Sequence, residues 1–145
     1  MDRVTKAPAL EDLSLDECMR LLADSTVGRF AVATPGAAPL VVPVNYLLDG
    51  DAVVFRSGPG SKLRGLRGLP VSFEVDRIDE VRHTGWSVLL RGRAYEATRW
   101  EVEHLHLETW VPGDKGHWVR IVPEGISGRR IRHTEELAGI DDLIA

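Results

Sequence analysis

The 145-residue chain carries a single cysteine, Cys18. That excludes an internal disulfide and a thiolate cluster for a metal, and it suits a reducing compartment. Long hydrophobic runs are missing as well. The longest nearly apolar stretch, residues 37–44, holds Pro39 and Pro43 and falls far short of the ~20 residues that span a bilayer. The chain opens Met1-Asp2-Arg3 without the apolar segment of a secretory signal. Positive charge is in deficit, with 18 basic against 22 acidic residues and a formal net charge of −4. A general nucleic-acid binder neutralises phosphates, so that balance argues against one. These absences leave a cytoplasmic protein with no membrane or nucleic-acid partner as the expectation. What is present fits one folded domain. Hydrophobic residues make up 43% and charged residues 28%, a globular and not a disordered composition, on a chain long enough for its own core.

Periodicity divides the chain. Residues 1–12 read as a flexible leader. Ser14 followed by Glu17 is a capping-box pair, and Leu15, Cys18, Met19 and Leu22 recur at helical spacing. A short amphipathic helix to about Asp24 is expected, stopped by Gly28, with Cys18 in its apolar stripe. From Arg29 the period becomes two. Strands are expected at Phe30 and Val32, over 40–46 and over 52–56. They are broken by Pro35-Gly36 and by Asp49-Gly50, a tight-hairpin signal. Residues 59–69 read as a loop and a helical turn. Val71, Phe73 and Val75 alternate with Ser72, Glu74 and Asp76, marking a half-buried strand. The longest strand candidate is 86–95, where Gly92 marks a bulge or sharp bend. A helix is expected over 98–110, with Trp100, Leu107 and Val111 near one face, ended by Pro112-Gly113. A last hairpin is expected from 117–122 and 126–131 around Pro123-Glu124-Gly125, then a short acidic, helical tail over 134–145. The sum is mostly antiparallel β with short flanking helices. One domain over 13–133 closes as a barrel that protects its edges.

Charge is unevenly spread. Residues 52–73 contain no acid, yet Arg56, Lys62, Arg64 and Arg67 all fall there. In an acidic chain, a basic island with glycines suits a small anion. A phosphate monoester needs fixed cations, a hydroxyl donor and backbone amides that can come close. Arg56 at a strand end, the small residues at 57–60, Ser61, and Lys62 entering a helical turn supply them. A helix N-terminus adds partial positive charge. The Gly-Lys-Ser/Thr order of a P-loop is absent. Composition alone favours the plainer reading, a solvated basic turn.

The linked order of several segments resembles one family. These are Val27-Gly28-Arg29, Pro43-Val44-Asn45-Tyr46, Phe55-Arg56-Ser57 with Gly60-Ser61-Lys62, Phe73-Glu74-Val75-Asp76, and Gly85-Trp86-Ser87-Val88 with Arg91-Gly92. Together they resemble the pyridoxamine 5′-phosphate oxidase-like flavoproteins with an FMN-binding split barrel, in the small actinobacterial and nitroimidazole-resistance-like branch. The resemblance runs from about Leu13 to Ile131. It implies that Arg56, Ser57, Ser61 and Lys62 hold the FMN phosphate. The backbone of Val42, Pro43, Val44 and Asn45 would lie along the flavin ring, with Asn45 offering a side-chain hydrogen bond. Trp86 and Ser87 would approach the ring or ribityl chain. It further implies a homodimer with the cofactor at the subunit interface, where Trp110 or Trp118 of the second chain would wall the pocket. The sequence departs from the true pyridoxamine phosphate oxidases in lacking the cations of their Arg-Val-Leu-Leu-Lys segment. Nor has it a good counterpart of their Arg-Leu-Ala-Pro ending. The resemblance therefore carries fold and cofactor, not vitamin B6 oxidation.

Other constellations give plainer readings. His104 and His106 sit among Glu101, Glu103 and Glu108, but positions two apart on a helix do not share a face, so a solvated surface is expected there. His83 and His117 are candidate proton donors or, more simply, exposed polar residues. Arg91 and Arg93 share a strand face, where they could serve a phosphate or an anionic substrate or, more simply, bridge to acids such as Glu74 or Asp76. No Gly-x-Ser-x-Gly elbow occurs. The functional expectation is an FMN-dependent oxidoreductase acting on a small organic molecule, the cofactor supplying the chemistry. The alternatives are a deazaflavin-dependent reductase of the same fold, a non-catalytic flavin-binding or sensing protein, and a dimerisation module with an empty pocket.

Overall fold

The alternation read over 71–76 extends in the computed structural model over a 13-residue strand, and three such long strands wrap the molecule. The structure describes residues 8–58, 63, 65–110 and 116–133. Along the chain run β1 (Pro8–Asp12), α1 (Leu15–Asp24), β2 (Val27–Val32), β3 (Leu40–Asp49), β4 (Ala52–Ser57), β5 (Arg67–Asp79), β6 (Thr84–Glu96), α2 (Arg99–Val102) and β7 (His117–His133). All strand pairs are antiparallel. The order is β1-β7-β4-β3-β2-β5-β6, and a further β6–β7 ladder closes β2 to β7 into a six-stranded barrel, with β1 outside it. Among the described residues no helix is long and apolar enough to cross a membrane.

Closure follows from the length of β7. Its first residues pair with β4, its middle and end with β6, and its last residues with β1. The hairpin expected around Pro123-Glu124-Gly125 is instead a bulge inside this one strand. Arg91 faces Gly125 and Gly92 faces Pro123, so Glu124 is the extra residue. Gly92 makes the bend possible, because a Cβ there would stand 2.1 Å from the Val122 carbonyl oxygen.

Three other local expectations change. Residues 8–12, read as part of a leader, form β1, with Leu10 opposite Ile131 and Glu11 paired to Arg132 at 3.3 Å. Five residues carry too little periodicity to declare a strand; the free edge of β7 recruits them. Gly28 does not stop α1, which ends at Asp24. It lies within β2, where a Cβ would meet the Phe73 ring at 2.1 Å. The helix expected over 98–110 shrinks to one turn, capped by the Thr98/Glu101 box. Only Val102 of that turn is buried, so no apolar stripe holds a longer helix on the barrel. The tail over 134–145, residues 59–62 and 64 of the expected 59–69 loop, and Val111 to Gly113 lie outside the described residues, while residues 67–69 of that loop already belong to β5.

The core is the barrel interior. Phe30, Phe55, Phe73, Leu90, Val88 and Ile121 are fully buried, with Phe30 on Phe55 at 5.0 Å and Tyr46 edge-on to Phe73 at 4.8 Å. Helix α1 closes one end. Its Ser14 hydroxyl accepts the Glu17 N–H as an N-cap, while the Glu17 carboxylate turns to the Ser14 hydroxyl and Arg130 instead of completing the expected box. Cys18 and Leu22 are fully buried. Cys18 lies over Gly128, where a Cβ would come within 2.7 Å of its sulfur. Burial pushes the thiol pKa up, as suits a packing residue. The Tyr46 hydroxyl donates to the Leu22 carbonyl, and its burial pushes its pKa up to about 12.

Candidate functional site

Strand alternation sorts the candidate residues onto two faces. Val42 and Val44 pack on the core, and Ser57 is buried. Pro43, Asn45 and Arg56 occupy the alternate positions and face outward. On β6 the same parity turns Trp86 inward, against the core, and Ser87 outward.

The register then brings the outward residues into one band. Arg56 faces Trp118 across β4 and β7, and Asn45 faces Val27 across β3 and β2. Asp76 faces Ser87, which faces Arg129. Asn45 and Ser87 are therefore three strands apart on one surface, about 14 Å at the usual spacing. Ser61 and Lys62 lie outside the described residues.

Strand β3 has an unusual edge. Residues 40–45 pair with β2 on one side, but β4 begins to pair with it only at Tyr46. Among the described residues the other edge of 40–45 is unpaired. Tyr46 donates its N–H to Thr26 on the β2 side, so alternation turns the backbone groups of Asn45 and Val41 to the open edge. Pro43 shares that parity. A proline fits there because it has no N–H to leave unsatisfied.

The surroundings are held by side chains that the sequence does not connect. The Arg56 guanidinium lies 5.3 Å from the Trp118 ring centroid, a cation–π contact. Trp118 belongs to the same chain as Arg56, and only the β4–β7 register reveals the pair. Asn45 Oδ1 accepts the Trp110 N–H at 2.8 Å, so that side chain docks the 103–110 segment. Beside Ser57, His117 Nδ1 meets Glu96 Oε1 at 3.1 Å, while Glu96 Oε2 accepts the Gly65 N–H at 2.8 Å. Glu96 thus ties the far end of the basic loop to the barrel. Arg120 ion-pairs with Asp49 and with Glu101, fastening α2 over β4 and β7. His104 reaches Asp49 at 3.3 Å. The Arg120 and His104 hydrogen bonds hold the Asp49 carboxyl below its usual range.

Between Asn45 and Ser87 lies an acidic pair. Arg29 on β2 reaches Glu74 at 3.3 Å and Asp76 at 3.1 Å, both on β5. Burial first, then the hydrogen bond and charge of Asp76, push the Glu74 carboxyl up to about 7. The bridging expected from Arg91 and Arg93 is done by Arg29. Arg93 bonds the Gly68 carbonyl at 2.9 Å and pairs with Glu124.

The family model described as pyridoxamine 5′-phosphate oxidase matches residues 14–130. The chain belongs to that family. It is 36% identical over 129 residues to the uncharacterized protein Rv0080 of Mycobacterium tuberculosis, covering 83% of this chain and 84% of that one. Its fold is similar to the FAD-binding protein of Mycobacterium smegmatis, with TM-score 0.65 and 32% identity over 86% of this chain and 100% of that one. It is also similar to an FAD-binding protein of Mesorhizobium loti, with TM-score 0.66 and 27% identity over 83% and 97%. The barrel with few short helices is the split barrel of this family.

Proposed function

We propose that the chain binds a flavin nucleotide on the outer surface where β3, β4 and β7 meet, and serves as a flavin-dependent oxidoreductase for a small organic molecule. The observation that carries this reading is the edge of β3 over 40–45 that is unpaired among the described residues, set beside Arg56 on its Trp118 platform. A flavin nucleotide needs backbone groups for the polar edge of its ring and a fixed cation for its phosphate. The residues present fit both needs. The segment Val42, Pro43, Val44 and Asn45 would run along the ring, with the Pro43 carbonyl and the Asn45 backbone groups turned to it at the open edge. Arg56, with Ser61 and Lys62 of the adjoining loop, would take the phosphate, and Glu96 would position that loop through Gly65; Ser57, at the end of β4, is buried on the opposite face. Ser87 stands on the same surface at a distance suited to the far side of the ligand. Trp86 faces the opposite way. When bound, a flavin supplies the hydride or electron transfer itself; the chain binds, orients and shields it.

FMN is the nucleotide that a single phosphate site implies. FAD is the second reading, favoured by the likeness to FAD-binding proteins at 32% and 27% identity. The exposed outer face, with Val41 at 59%, suits a homodimer in which the second protomer covers the ligand. The lone buried Cys18 suits the cytoplasm.

Absorbance titration of the purified protein with FMN, FAD and riboflavin tests the assignment. Saturable binding of FMN with much weaker binding of riboflavin is the expected result. Equal affinity for FMN and riboflavin would remove the phosphate site, and FAD binding far tighter than FMN would make the dinucleotide the cofactor. No binding of any of the three would overturn the flavin reading, and a deazaflavin would be titrated next.

A further inference from the structure

Past the mouth of the barrel, β5, β6 and β7 run on together, and beside that extension lies a concavity of about 920 Å³. This is within the range of small-molecule sites. One register row sets Arg77 of β5, Trp86 of β6 and Arg130 of β7 side by side. Side chains so paired have Cβ atoms about 4.5–5.5 Å apart. Trp86 is half-buried and packs on the core beneath, which makes it an apolar floor between two guanidinium groups.

The charges around this floor are unequally used. Arg130 is held by Glu17 of α1 at 3.2 Å and Arg132 by Glu11 of β1 at 3.3 Å. Arg82 lies 3.9 Å from Asp79. Arg77 has no carboxylate within ion-pair reach among the described residues, although it adjoins Trp86 directly. The remaining acid of the lining, Glu80, stands on the β5–β6 turn. That turn is rigidly made. Asp79 Oδ1 accepts the Val81 and Arg82 N–H groups at 3.1 and 3.0 Å, and His83 takes a left-handed φ of 55°.

We propose that this concavity is a binding site for a small aromatic anion, with its ring on Trp86 and its carboxylate or sulfonate on Arg77. The flat apolar floor selects an aromatic body. The guanidinium without a carboxylate selects a negative group, and a single one, because the other three arginines already have partners. The site is separate from the Arg56 surface. Trp86 and Arg77 take the inward parity of β6 and β5, whereas Ser87 takes the outward one, so the two sites lie on opposite faces of the same strands.

Calorimetric titration with 2-naphthoate, and with neutral 2-naphthol as a probe of the same shape, tests the proposal, each with and without saturating FMN. Naphthoate should bind saturably at one site per chain and naphthol at least about tenfold more weakly. Arg77→Gln and Trp86→Leu should each weaken naphthoate about tenfold or more, while Arg56→Ala and added FMN leave it unchanged. Arg77 is exposed, so its variant reports on binding even if the Trp86 variant folds poorly. Trp86→Phe should restore part of the affinity. No saturable naphthoate binding at millimolar concentration would overturn the proposal. So would equal binding of naphthol, indifference to Arg77→Gln, or displacement by FMN. Naphthoate binding in a protein that takes no flavin would still support this site, because the two surfaces are independent.

Discussion

Neighbouring residues on the same strands have opposite environments in this barrel. Phe55, Phe73 and Val44 face the interior, while Arg56, Glu74 and Asn45, each one position further on, face outward. The inner set is apolar and interlocked, so it determines whether the barrel exists. The outer set is polar and spread over one outward face, so substitutions there should act on the proposed ligand surface before they act on the core. The difference teaches that a substitution's effect here depends less on residue type or sequence position than on the parity of that position in its strand.

The sharpest break comes from inside. Phe73 is fully buried, sits against Tyr46 and fills the space that Gly28 leaves open. Phe73→Ala should cost about 3–5 kcal/mol in denaturant unfolding. A loss under about 1 kcal/mol would mean that the barrel collapses around the void or that Phe73 is not central. The converse change, Gly28→Ala, forces a methyl to 2.1 Å from that ring. It should cost about 1–3 kcal/mol, and Phe73→Leu in the same chain should recover part of it. Additive losses in that double variant would refute the direct clash.

Outside, the effect moves from stability to binding. Arg56→Ala should lower FMN affinity about tenfold or more, by removing a charge-assisted phosphate contact worth about 1.5–3 kcal/mol. Its urea midpoint should move little. A large fall in stability with unchanged affinity would turn Arg56 into a structural partner of Trp118.

The smallest effect concerns Glu74. Its carboxyl is pushed up to about 7 from an ordinary value of 4.5. The folded state therefore keeps a proton that the unfolded chain releases earlier. That contribution to stability is complete below about pH 4.5 and is lost as pH rises through about 7. Glu74→Gln should flatten this part of the stability profile and add up to about 1 kcal/mol at pH 8. A profile between pH 5 and 8 identical to that of the parent protein would show that Arg29 already neutralises the pair.

Much of this was legible locally. The Asp49-Gly50 hairpin, the Ser14 N-cap, the alternation through 71–76 and the Gly92 bend all stand in the structure as read. Each depends on residues within a few positions of one another. The candidate site was legible as a set of residue types, with Asn45, Arg56 and Ser87 on one surface, but not as a geometry. The acidic helix over 98–110 misled because its charges satisfy a cap and an ion pair to Arg120, not a helix face.

The amino-acid sequence by itself determined strand periodicity, turn chemistry, and the faces that Phe73 and Glu74 or Val44 and Asn45 would take, because side chains alternate along any extended strand. Only the tertiary structure decided that β7 is a single bulged strand, that Pro8–Asp12 completes its edge, and that Trp118 lies against Arg56 and Trp86 between Arg77 and Arg130. Those pairings join residues far apart in the chain. Their register is set by closing one barrel around one core, and no local pattern encodes that closure.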